Sequence, residues 1–117
     1  MEKFSVALPL TGEYLTTVRL TTGGLCALAG FDVDSTEDFK VCVTESLLIL
    51  KRNGYLSATM EFRVGESLAC TIEGAEKGGE KDLSIENEIS RALLSALLGE
   101  VDFEQDDDGV WKISFAG

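Results

Sequence analysis

Apolar residues recur along this chain with two spacings. Some stretches place them at every second position, others at every third or fourth, and cap or turn residues separate the stretches. Phe4, Val6 and Leu8 alternate with polar neighbours, which predicts a strand over 3–8, stopped by Pro9 and suited to a sheet edge. Leu15, Val18, Leu20, Leu25 and Leu28 then supply the stripe of a helix over 11–29, capped by Thr11, closed by Gly30, with Glu13 in its first turn. Gly23 and Gly24 inside it mark close packing or a kink, since each costs about 1 kcal/mol relative to alanine.

The spacing predicts a second helix over 35–52. Ser35 or Thr36 caps it, with Ser35-x-x-Asp38 resembling a capping box, and Lys51 and Arg52 complement the dipole before Asn53-Gly54. Phe39, Val41, Cys42, Val43, Leu47, Leu48, Ile49 and Leu50 cover it on nearly every side, the mark of a buried helix. Residues 55–64 alternate, with Leu56, Ala58, Met60, Phe62 and Val64 inward. Gly65-Glu66 turns the chain, and 67–72 returns with Leu68, Cys70 and Ile72 inward.

Residues 73–81 read as a polar, glycine-bearing loop. Asp82 or Ser84 caps a third helix to Leu98, with Ile85, Ile89, Leu93, Ala96 and Leu97 as its stripe. Residues 101–103 and 110–115 close the chain as a hairpin around Asp106-Asp107-Asp108-Gly109, with Trp111, Ile113 and Phe115 on one face. The order β-α-α-β-β-α-β-β predicts an α+β fold. It is a two-layer α/β sandwich with a mixed, largely antiparallel sheet and three helices on one face, a single domain over 1–117.

Composition narrows the chemistry. With 117 residues, 44% hydrophobic and 26% charged, the chain can bury a core without disulfides or metal. Ten basic and 21 acidic residues leave a formal net charge of −11, which repels nucleic acid and anionic membrane and favours a basic partner surface. The plainer reading is acidity that keeps a bacterial-type cytoplasmic protein soluble. Cys26, Cys42 and Cys70 sit far apart in apolar context and read as buried thiols. The absence of histidine excludes His-dependent triads and zincin motifs. No apolar run reaches the roughly 18 residues of a membrane span, and no signal peptide is evident.

One residue stands against the pattern. Glu45 lies mid-way along the apolar second helix, with no lysine or arginine within four residues. A lone acid there is either satisfied by a hydrogen bond or placed for chemistry.

Two further features carry a resemblance: Val18-Arg19 followed by the joint Gly30-Phe31-Asp32, and an acidic helix start leading into V-x-V-T-E, Val41 to Glu45. Residues 10–46 resemble the first two helices of the anti-sigma-factor serine kinases, members of the GHKL ATPase superfamily. The resemblance implies that Glu45 matches the general base of an E-x-x-x-N box, whose asparagine holds Mg²⁺. Here Ile49 takes that place, and a hydrocarbon cannot coordinate a hard cation. Asn53, two turns on, reads as a C-cap and only as a displaced ligand after that.

The family's adenine-binding D-x-G-x-G turn finds no match at that spacing, although Glu73 could stand in for its aspartate. Its phosphate-facing G-x-G is replaced by Glu88 and Ser90, and its lid is cut to about 74–81. Arg19 matches an arginine that contacts partner proteins, or is simply solvated. The acidic turn Asp106–Asp108 lacks the ligand alternation of a Ca²⁺ loop and reads as a solvated hairpin tip.

These departures predict a degenerate kinase-like regulatory domain that acts through protein–protein contacts, with no cofactor and no metal. Its partner would be a sigma factor or an anti-sigma antagonist, and it would be capable of homodimerising. Glu45 is then a vestigial catalytic residue, hydrogen-bonded or facing a residual pocket. The alternative is a divergent serine protein kinase that still binds Mg-ATP, with Glu45 as general base.

Overall fold

The computed structural model describes residues 2–82 and 85–117. In chain order the elements are β1 (Glu2–Pro9), α1 (Gly12–Leu28), α2 (Val33–Arg52), β2 (Asn53–Val64), β3 (Leu68–Lys81), α3 (Ile85–Leu98), β4 (Val101–Asp106) and β5 (Gly109–Ala116). The order matches the one predicted from periodicity. The strands form one sheet in the order β1-β2-β3-β5-β4, and every neighbouring pair is antiparallel. β1 takes the edge that its proline suits.

The core lies between the sheet and the helices. α2 packs on β2, β3 and β5, α3 packs on α2 and β4, and α1 leans on α2. Phe39, Val43, Leu47, Ile49 and Leu50 of α2 are fully buried against Met60, Phe62, Ile72 and Ile113 of the sheet. Cys26, Cys42 and Cys70 are buried free thiols, as their apolar context predicts. The opposite sheet face is polar, with ion pairs from Lys3 and Arg63 to Glu61 and from Lys112 to Glu73 and Glu104.

Several local expectations change. The cap of α2 is Asp32, whose Oδ1 accepts from the Ser35 N–H at 2.8 Å, so the helix begins before the predicted capping box. Thr11 holds the N-cap position of α1, but its side chain makes no cap bond. On α1 the buried residues are Val18, Thr22, Leu25 and Cys26, whereas Leu20 and Leu28 are 72% and 74% exposed. Space near Gly23 and Gly24 is open or in ordinary contact, so neither glycine is demanded by packing.

On β2 the register shifts between Asn53 and Ala58, which turns Tyr55 inward and Leu56 out. The predicted loop over 73–81 is instead the second half of β3, paired with β2 from Ala58↔Gly74 to Asn53↔Lys81. Its polar residues belong to a ribbon exposed along much of its length. Gly74 is required there, because a Cβ would collide with the ring of Tyr55.

α3 is turned relative to its apolar stripe. Ser90 and Leu94 are buried, while Ile85 and Ile89 are 68% and 58% exposed. Ser84, one of the two caps expected for this helix, lies outside the described residues. In the closing hairpin a register shift at Glu104/Gln105 sends Val110 inward with Ile113 and Phe115, leaving Trp111 half-buried at the core's margin.

Candidate functional site

Glu45 occupies the fourth turn of α2, on the side that meets α3. It is half-buried, and its Oε2 accepts a hydrogen bond of 2.6 Å from the Ser90 hydroxyl. Ser90 is itself 3% exposed and accepts from Arg52 Nη1 at 2.8 Å. The order guanidinium, hydroxyl, carboxylate is electrostatically consistent: the cation polarises the hydroxyl, which donates to the anion.

Arg52 belongs to the last turn of α2 and reaches further along α3. Its Nη1 lies 3.3 Å from Asn87 Oδ1 and 3.4 Å from the Glu86 carbonyl, and its Nη2 lies 3.6 Å from the Glu86 carboxylate. One guanidinium therefore engages the first two turns of the neighbouring helix. Sequence reasoning took Arg52 only as a complement to the helix dipole. The missed signal was its spacing, since positions seven apart on a helix return to nearly the same face. Arg52 lies beyond the four residues either side of Glu45, which hold no lysine or arginine.

Ile49 is fully buried one turn after Glu45 and offers no oxygen to a cation. Asn53 caps α2 by donating from Nδ2 to the Ile49 carbonyl at 2.8 Å, and its Oδ1 lies so close to Gly109 that a Cβ there would clash. Its amide is committed to backbone on one side and pressed against a turn on the other.

The other candidate residues stand apart from Glu45. Glu73 follows the inward Ile72 on β3, so alternation puts it on the polar sheet face, 3.6 Å from Lys112 Nζ. Arg19 is exposed on α1. Glu88 is exposed on α3, whereas Ser90 is the residue that meets Glu45. At the acidic turn the Asp108 N–H donates to Asp106 Oδ1 at 2.8 Å, and Lys81 Nζ donates to the Asp108 carbonyl at 2.8 Å. Among the described residues no group of three or more acids and cysteines is placed to hold a metal ion. No helix among them is long and apolar enough to cross a membrane.

No family model matches the chain. Over 54 residues it is 32% identical to the serine-protein kinase RsbW of Bacillus cereus (strain AH187), a match covering 46% of this chain and 34% of that protein. The same identity and coverage hold for RsbW of Bacillus thuringiensis (strain Al Hakam) and Bacillus mycoides (strain KBAB4). The chain thus matches about a third of the length of these curated relatives. In structure it superimposes on the RsbU and RsbW domains of Rv1364c from Mycobacterium tuberculosis with a TM-score of 0.73 at 15% identity. That fit covers 99% of this chain and 31% of the solved one.

The chain is similar to RsbW in sequence over 54 residues and to the solved RsbU and RsbW domains in fold. The resemblance to the anti-sigma-factor serine kinases therefore stands in sequence over 54 residues, and the two-layer α+β architecture stands in structure. Glu45, which the sequence resemblance matched to a general base, is bonded by a serine from α3.

Proposed function

We propose that this RsbW-like domain is a regulatory module that acts by binding a protein partner, a sigma factor or an anti-sigma antagonist, in the cytoplasm and without ATP turnover. The observation that carries the reading is the bond from Ser90 to Glu45 beside the fully buried Ile49. The position expected to act as a base has its carboxylate engaged by a neighbouring helix, and the position expected to hold Mg²⁺ is a hydrocarbon. Phosphoryl transfer relies on a metal and on donors to the phosphates for its charge stabilisation. Neither Ile49 nor Glu88 supplies such a group. Glu45 acts here as an acceptor that fastens α3.

The test is a titration with Mg-ATP followed by thermal and urea unfolding. A ligand of the native state adds about 2.7 kcal/mol at 100 times its dissociation constant. The expected result is no change with Mg-ATP. A concentration-dependent rise in stability overturns the reading in favour of a divergent serine protein kinase, for which the retained Glu45 is the favouring residue. Transfer of labelled phosphate to a serine of an anti-sigma antagonist would then identify the activity.

A further inference from the structure

A groove of about 530 Å³ runs between the turn joining α1 to α2 and the C-terminal end of α3. Its lining mixes polar and apolar groups: Phe31, Leu97 and Leu98 are half-buried there, and Phe31 stands edge-on to the buried Phe39 with ring centroids 5.6 Å apart. Asp32, Asp38 and Glu66 also line it, and among the described residues no basic residue does. None of these three carboxylates takes part in an ion pair among the described residues. Beside the turn, Leu28 and Val33 are 74% and 77% exposed, so apolar surface continues past the rim.

We propose that this groove docks a segment of a partner protein that carries arginine among aliphatic residues. The proposal rests on the reading of the domain as a protein-binding module and names the surface and the partner chemistry. An aliphatic side chain covers Leu97 and Leu98 and removes them from water. A guanidinium, planar and weakly hydrated, meets an aromatic ring and a carboxylate together, which suits a groove lined by both Phe31 and Asp38. A neutral apolar ligand would bury the acids without a partner, at a cost. Nucleic acid and anionic lipid are repelled by the same rim and by the net charge of −11. Asp32 already accepts the Ser35 N–H as a helix cap, so Asp38 and Glu66 are the carboxylates free to be tested.

The probe is a short fluorescein-labelled peptide of arginine and leucine, titrated with the whole chain and read by polarisation. A matched peptide with glutamate for arginine is the first control and is expected not to bind. Asp38→Asn with Glu66→Gln is expected to weaken binding at least about tenfold. Glu13→Gln with Asp107→Asn removes the same charge from exposed sites elsewhere and is expected to change it less than about twofold. Leu97 and Leu98 methyl resonances are expected to shift on titration. Equal losses in the two double variants, or no binding by the arginine peptide, overturn the docking site. The Mg-ATP titration remains the separate judge of the module reading, so the two failures are distinguishable.

Discussion

Ser90 Oγ lies 2.6 Å from Glu45 Oε2, within the short range of a hydroxyl bonded to a carboxylate, and this contact fastens α3 to α2. Ser90→Ala removes the donor to Glu45 and an acceptor of Arg52 in one change. Urea unfolding is expected to show a loss of about 1–3 kcal/mol. Glu45→Gln keeps an oxygen that accepts from Ser90, so its loss is expected to stay under about 1 kcal/mol. Partner binding should survive that change, and its loss would contradict the role assigned to Glu45.

Arg52→Ala is expected to loosen α3 selectively. Three acceptors on that helix, Ser90, Asn87 and the Glu86 carbonyl, lose their shared donor. Hydrogen exchange should then accelerate over 85–91 while β2 and β3 keep their protection. Uniform acceleration across the sheet would instead place Arg52 in the global stability of the fold.

Thr22 marks a different kind of site. It is fully buried on α1, and its hydroxyl has no hydrogen-bond partner among the described residues. Thr22→Val keeps the shape and removes the unsatisfied group, so it is expected to stabilise the protein by about 1 kcal/mol. Its midpoint in urea should rise with the slope unchanged.

The buried thiols give the protein an alkaline limit. Burial, reinforced by the charges of Asp38 and Glu45, pushes Cys42 from 9.0 up to about 12. Burial raises Cys26 as well, against a smaller opposing effect of Lys40. Above pH 9 the unfolded chain releases protons that the native chain keeps. The Cys42 contribution is therefore whole below pH 9 and is lost between pH 9 and about 12. Melting temperature should fall over that range, less steeply in Cys42→Ala. Ellman's reagent at pH 8 should find no reactive thiol until the protein unfolds.

Much of the fold was legible because most segments commit to one period. The order of elements follows from alternation in β2 and early β3 and from the all-round apolar surface of α2. What escaped has physical causes. The inward face of α3 holds Ser90, a polar residue that is buried because Glu45 and Arg52 satisfy it, so counting apolar positions aims the helix by Ile85 and Ile89 instead. Thr22 and Cys26 mislead in the same way on α1, where Leu20 and Leu28 face water. Shifts of register in β2 exchange Tyr55 and Leu56. Glu45 was visible as an anomaly, but its partner lies 45 residues away, and no local pattern announces that.

The second half of β3 carries one more consequence. Where a polar loop holding only a shortened lid was expected, residues 74–81 are laddered to β2, with Tyr55 seated on Gly74 and Lys81 fastened to the Asp108 carbonyl. A flap swings on a few backbone torsions. A ladder yields only by breaking several backbone bonds together, each strong in itself and shielded in part by its neighbours. This border of the domain is a strut, and whatever approaches it meets a surface already set.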